Sequence, residues 1–166
     1  MITAKSLKSQ KGNTLSLSKG FTLIELLVVI GILAILLAIV LIAINPARQF
    51  AQANNTKRSS DVQALLNAIQ QYAADNAGAL PAGLTAGMTA TNIDSSLPGL
   101  CDALVTEYIA ALPSDPEAVN GGANIAEADC VSYDTEYRVA ISANDNRITV
   151  DALNHIQLSA SISATR

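Results

Sequence analysis

The feature that most constrains this chain is an apolar run over residues 26–44, which contains no charged or strongly polar side chain. A helix of that length is long enough to cross the roughly 30 Å hydrocarbon core of a bilayer. The alternative is a conventional secretory signal cut near Ala51-Gln52-Ala53, but the apolar region of such a signal spans only about 7–15 residues. We therefore predict a membrane-spanning helix over residues 21–45.

One carboxylate precedes the apolar run. Glu25 is the only ionisable side chain between Phe21 and Ala47. A charge near the centre of a bilayer costs about 2.5–3.5 kcal/mol on insertion scales, and less near the interface. Because the segment contains no Lys, Arg or His, the partner of Glu25 has to come from another molecule or from a new amino terminus created before Phe21. An ordinary membrane anchor, in which Glu25 reaches the interface, is the alternative.

The sequence of residues 20–34, Gly-Phe-Thr-Leu-Ile-Glu-Leu-Leu-Val-Val-Ile-Gly-Ile-Leu-Ala, resembles the class III signal of type IV prepilins and pseudopilins. In that family a membrane peptidase cleaves after the glycine and methylates the new amino terminus, and the glutamate at the fifth mature position drives assembly. The resemblance implies cleavage between Gly20 and Phe21, N-methylation of Phe21, and a role in assembly and subunit register for Glu25.

Residues 1–20 have the composition of a targeting extension, with four lysines and no acidic side chain. The positive-inside rule favours a cytoplasmic leader only weakly, because Arg48, Lys57 and Arg58 follow the span, and the resemblance implies the same orientation. We expect the peptidase to remove it.

Two residues are expected to disturb the long amino-terminal helix. Pro46 lacks a backbone donor and should kink or interrupt the helix, and Gly31 is a second weak point. The resemblance implies bending at both positions, while close helix packing is the alternative for Gly31. Beyond Pro46 the apolar residues recur at spacings of three and four, which predicts an amphipathic helix over residues 46–77 that ends near Asn76.

The remaining residues, 78–166, are predicted to form one small globular region. We expect a loop over residues 79–99, a short helix over 104–112, and strands at 136–141, 147–150 and within 156–162. Packed on the amphipathic helix, these strands would form a small antiparallel sheet. The expected fold class is α+β, in agreement with the pilin fold that the resemblance implies.

A proline-bounded stretch, residues 108–116, resembles a turn that follows the helix in many major pseudopilins and in some Gram-positive or related pilins. The simpler interpretation is a turn that Asp115 caps through its own backbone.

Cys101 and Cys130 are the two cysteines of the chain. An even number in an exported domain favours a disulfide over two buried thiols. The resemblance bears on the subclass, because many type IV pilins carry a carboxy-terminal disulfide loop and major pseudopilins usually lack one.

Enzyme chemistry and cofactors are not predicted. His155 is the only histidine, and no phosphate loop or zinc spacing occurs. Asp129, Asp134 and Glu136 could gather around calcium, as some pseudopilin loops do by resemblance, but a solvated acidic edge is the alternative. Loss of the four leader lysines leaves six basic against fourteen acidic side chains, a net charge of −8, which disfavours direct nucleic-acid binding.

The apolar helix predicts a single-pass membrane precursor, and the resemblance implies that it is an inner-membrane protein that polymerises with copies of itself into an extracellular type IV filament. The resemblance implies further partners: the prepilin peptidase and methyltransferase, an inner-membrane assembly platform with its ATPase, and minor pilins. The alternatives are a major pseudopilin, forming a periplasmic fibre in type II secretion or DNA uptake, and a membrane-anchored enzyme or binding protein that never polymerises.

Overall fold

The computed structural model describes residues 20–153 and 162–166. Contacts divide the chain into two compact units, residues 1–44 and residues 45–166. We describe each unit by itself and call residues 45–166 the head unit.

The first unit contains helix α1, Leu23–Ile44, which has no buried residue. Among the described residues it is the one helix that is long and apolar enough to cross a membrane. The helix continues through Gly31 without a break. The structure therefore contains the apolar helix that the sequence predicts.

The interruption predicted at Pro46 occurs one residue earlier, at Asn45. Asn45 adopts the left-handed conformation, with φ 48° and ψ 78°, and its side chain accepts a hydrogen bond from the Arg48 N–H. Pro46 then occupies the first turn of helix α2, Pro46–Asp75. A backbone N–H at this position would have no partner within the helix, so proline removes no helical hydrogen bond there. The other end agrees with the prediction, because Asn76 caps α2 by donating its N–H to the Tyr72 carbonyl.

The head unit contains a four-stranded antiparallel sheet in the order β1-β2-β3-β4. Its strands are β1 Thr91–Asp94, β2 Asp134–Ile141, β3 Ile148–Ala152 and β4 Ser163–Thr165. Val139 in β2 pairs with Thr91 on one side and Val150 on the other. The predicted α+β class and the central β2-β3 hairpin are thereby confirmed.

Two predicted segments differ from the structure, and a third lies almost entirely outside the described residues. Strand β1 lies inside residues 79–99, which we expected to be a loop; its short sequence carries little strand signal and it forms by pairing with β2. The short helix α3, Leu100–Leu104, ends where a helix over 104–112 was expected to begin, because Val105 is extended and Thr106 has a φ of 74°. The strand expected within 156–162 lies outside the described residues except for Ile162, which directly precedes β4.

The hydrophobic core lies between α2 and the sheet. Strands β2 and β3 alternate buried and half-buried residues along most of their length, so one face of the sheet packs inward. The main contributors from α2 are Val62, Leu65, Leu66 and Ile69, and those from the sheet are Ile93, Tyr137, Val139, Val150 and Ala164.

Candidate functional site

The predicted processing site lies at the start of α1. Gly20 and Phe21 precede the helix in non-helical, exposed backbone. The Thr22 hydroxyl then accepts a hydrogen bond from the Glu25 N–H at 3.2 Å, which caps the helix. The peptide bond between Gly20 and Phe21 is therefore outside the helix and within two residues of its cap.

Glu25 lies in the first turn of α1, where a negative charge is favourable beside the positive end of the helix dipole. Among the described residues, no basic side chain forms an ion pair with it. The apolar side chains that follow are exposed, as in Leu26 at 57 % and Leu37 at 62 %. This unit presents one carboxylate and a continuous apolar surface, a combination suited to burial in lipid or among other helices.

A second cluster of charges lies inside the head unit, at the strap formed by residues 113–117. Arg58 on α2 and Asp115 on the strap are both fully buried. Arg58 Nε donates to Asp115 Oδ2 at 2.7 Å and Arg58 Nη2 donates to Asp115 Oδ1 at 2.8 Å. Glu117 accepts a further hydrogen bond from Arg58 Nη2 at 2.9 Å. The strap is thus joined to α2 by a bidentate, charge-assisted contact.

The electrostatics of this pair favour both charges. Hydrogen bonding to Asp115 raises the pKa of Arg58 more than burial lowers it. Burial alone would raise the pKa of Asp115, but hydrogen bonds from Arg58 and from the Glu117 N–H hold that pKa below its ordinary value of 3.8. Both groups are therefore ionised at neutral pH.

A neighbouring network connects α2 to the sheet. Lys57 Nζ donates to Asp61 Oδ2 at 2.8 Å and to the Ser114 carbonyl at 3.0 Å. The fully buried Tyr137 on β2 donates its hydroxyl to the same Asp61 oxygen at 2.9 Å. Burial is the main cause that raises the pKa of Tyr137 above its ordinary value, and the hydrogen bond to Asp61 is the second cause. These contacts fix α2, the strap and the sheet to one another.

The sequence predicted the turn but not its ion pair. The Asp115 carboxylate accepts a hydrogen bond from the Glu117 N–H at 2.8 Å. This is the side-chain cap expected from the simpler interpretation of the proline-bounded stretch. Arg58 was missed, although it lies four residues before Val62 and continues the apolar stripe of α2. A buried cation on such a stripe is a signal that an acidic partner is nearby.

The predicted disulfide joins Cys101 to Cys130, with the Cα atoms 5.4 Å apart. Cys101 lies in α3 and is buried, whereas Cys130 directly follows a short 3-10 turn, Glu127–Asp129, and is half-buried.

The three acidic residues considered for calcium, Asp129, Asp134 and Glu136, all line one cavity of about 430 Å³. Asp134 accepts a hydrogen bond from the Glu136 N–H. Within residues 20–153 and 162–166, no group of three or more His, Cys, Asp or Glu side chains is placed to hold a metal ion. His155 lies outside the described residues.

Comparison with known proteins bears on the amino-terminal segment. Residues 15–41 match the family model for the prokaryotic N-terminal methylation motif. Neither curated proteins nor solved structures give a significant match. The matched segment contains Gly20, Phe21, Glu25 and Gly31, and the apolar α1 with the α2-and-sheet head unit fits the pilin fold. The chain therefore carries the prokaryotic N-terminal methylation motif, consistent with the class III signal of type IV pilins and pseudopilins.

Proposed function

We propose that this chain is the precursor of a type IV pilin, a structural subunit of an extracellular filament. A prepilin peptidase removes residues 1–20, Phe21 is N-methylated, and the mature subunit polymerises through α1. The observation that carries this proposal is the methylation motif, with Glu25 in the first turn of a helix whose apolar side chains are all exposed.

The physical role of Glu25 follows from its surroundings. Cleavage creates a positively charged amino group at Phe21, four residues before the carboxylate. In a growing filament, the amino group of an incoming subunit neutralises Glu25 of a subunit already packed. Such pairing is strong where water is excluded, so it fixes the axial position of each new subunit.

The proposal also assigns a location and partners to the subunit. Before assembly α1 spans the inner membrane, with the lysine-rich leader in the cytoplasm and the head unit outside. The peptidase acts there, and an assembly platform with its ATPase moves the mature subunit into the filament. Minor pilins complete the assembly, and the acidic mature chain gives this subunit no direct role in binding nucleic acid.

The second candidate is a major pseudopilin of a type II secretion or DNA-uptake system. The proline-bounded stretch around Asp115 favours it, since the turn resembles one found in major pseudopilins. The disulfide between Cys101 and Cys130 favours the pilin.

The test is the amino-terminal sequence and intact mass of the protein in sheared cell-surface material and in the membrane fraction. We expect surface protein that begins at N-methylated Phe21 and lacks the two hydrogens lost on disulfide formation. Protein processed at Phe21 but confined to the membrane fraction would favour the pseudopilin. A full-length chain, in cells with an active peptidase, would contradict both.

A further inference from the structure

An exposed turn of the head unit, residues 126–132, is connected to the core by little besides the disulfide. Its residues are exposed, except for half-buried Cys130. In the part of the chain that the structure describes, its hydrogen bonds remain within the turn: Asp129 N–H to the Ala126 carbonyl, Cys130 N–H to the Glu127 carbonyl, and Ser132 N–H to the Asp129 carbonyl. The bond to Cys101 is therefore its principal attachment.

Both flanks of this turn are held independently of the sulfur atoms. On one side Ile125 and Leu112 exchange two backbone hydrogen bonds, at 2.8 and 2.9 Å. On the other side the Tyr133 carbonyl accepts a hydrogen bond from the Ser95 N–H at 3.0 Å. Opening the disulfide consequently leaves fixed points at residues 125 and 133.

The rest of the chain between the cysteines has its own attachment. The strap is joined to α2 by the buried pair of Arg58 and Asp115, and its Asp115 N–H donates to the Thr135 carbonyl. Cys101 itself is in α3, where its carbonyl accepts a hydrogen bond from the Val105 N–H. These contacts do not depend on the disulfide.

We propose that the Cys101–Cys130 disulfide is a redox clasp for the 126–132 turn, whose opening releases the turn while the remaining head unit stays folded. Asp129 and Ser132 of this turn line the cavity of about 430 Å³, against Ile125 and Tyr133. The clasp thereby determines whether one wall of the cavity is in place. This inference concerns the head unit alone and goes beyond the proposed filament function.

The chemistry of opening is a thiol–disulfide exchange with an external dithiol. The S–S bond breaks, Cys101 and Cys130 each become a thiol, and the dithiol supplies two electrons and two protons as it forms its own disulfide. The turn is therefore released in a chain that has not yet left the reducing cytoplasm, and the cavity wall closes once the head unit reaches an oxidising exterior.

The test is amide hydrogen exchange of the full-length chain in detergent micelles, oxidised and after reduction with dithiothreitol. We expect exchange at the amides of Asp129, Cys130 and Ser132 to become at least tenfold faster. Exchange at Leu112, Ile125 and the β2 amides should change less than twofold. Faster exchange throughout β2 and β3, or unchanged exchange within the turn, would overturn the proposal.

A glutamate-specific protease provides an independent measurement. Cleavage after Glu127 should be at least tenfold faster in the reduced chain than in the oxidised chain. The products of both digests are reduced after the protease has been stopped, so that the disulfide does not hold the fragments of the oxidised chain together. Cleavage after Glu117, held by Arg58, should not change. The Glu127→Gln variant identifies the relevant cut, and C101S/C130S should behave as reduced wild type. Equal cleavage after Glu127 in both forms, or acceleration at both glutamates, would contradict the clasp.

Discussion

Arg58 and Asp115, fully buried and 57 residues apart in the chain, share two hydrogen bonds of 2.7 and 2.8 Å. The bidentate geometry compensates both charges where water cannot solvate them. This contact is the fully buried ion pair between α2 and the strap, and the stability of the head unit should depend on keeping both partners or removing both.

Replacement of Arg58 by Met should destabilise the head unit by about 3–5 kcal/mol, because it leaves the Asp115 carboxylate buried without its cation. Urea denaturation of the full-length chain in detergent measures this loss. The double variant R58M/D115L should recover most of it, since no fully buried charge is left without its partner and Glu117 remains partly exposed to water. A loss below about 1 kcal/mol in the single variant would contradict the importance of the pair.

The same pair predicts a loss of stability in acid. Because the pKa of Asp115 is lower in the folded chain than its ordinary value of 3.8, its contribution is complete above that value and is lost as the pH falls through the lower folded pKa. The free energy of unfolding should therefore fall below about pH 4. Asp115→Asn should be less stable at pH 7 and show a shallower decline between about pH 4 and pH 2. Parallel pH profiles for the two chains would refute this assignment.

Removal of the Tyr137 hydroxyl should also weaken the head unit. Tyr137→Phe eliminates a buried hydrogen bond to the Asp61 carboxylate and should cost about 1.5–3 kcal/mol, measured by thermal or urea unfolding. Tyr72→Phe is the matched control, because the half-buried Tyr72 ring packs edge-on against Tyr108 and retains that contact. Equal losses in the two variants would argue against a special role for the Asp61 bond.

Two adjacent glycines in the turn beside the strap should differ in their tolerance of alanine. Both have a left-handed φ, 71° for Gly121 and 74° for Gly122, which costs alanine about 1–2 kcal/mol. A Cβ at Gly122 would also lie 2.9 Å from the Pro116 Cα, whereas a Cβ at Gly121 meets no atom within 4 Å. Gly122→Ala should therefore lower the unfolding free energy clearly more than Gly121→Ala, and similar losses would show that the close approach to Pro116 is unimportant.

The proposed filament function predicts a specific effect of Glu25→Gln. The variant keeps the size of the side chain and one acceptor oxygen but removes the charge that, in the proposal, pairs with the amino group of Phe21. We expect the yield of sheared surface filaments to fall at least tenfold, while the processed amino terminus at Phe21 is still found in the membrane fraction. A normal filament yield would refute the assembly role of Glu25.

The processing motif was readable from the sequence because its residues are contiguous: Gly20, Phe21 and Glu25 lie within six positions, and the apolar run follows directly. The α2 helix and the β2-β3 hairpin were also readable, since local periodicity reports which face of an element is buried. The proposed cleavage, methylation and assembly roles of those residues are predictions for the experiments described above.

Strand β1 and the partner of Arg58 could not be read in this way. Thr91–Asp94 forms a strand through pairing with β2, whose partner residues lie forty or more positions later. The sequence by itself determined the membrane-compatible helix and the methylation motif at its start, because both depend on neighbouring residues. Only the tertiary structure decided which buried charges meet and which turn the disulfide joins to α3, because these contacts join residues distant in the chain and exist only after the core has packed.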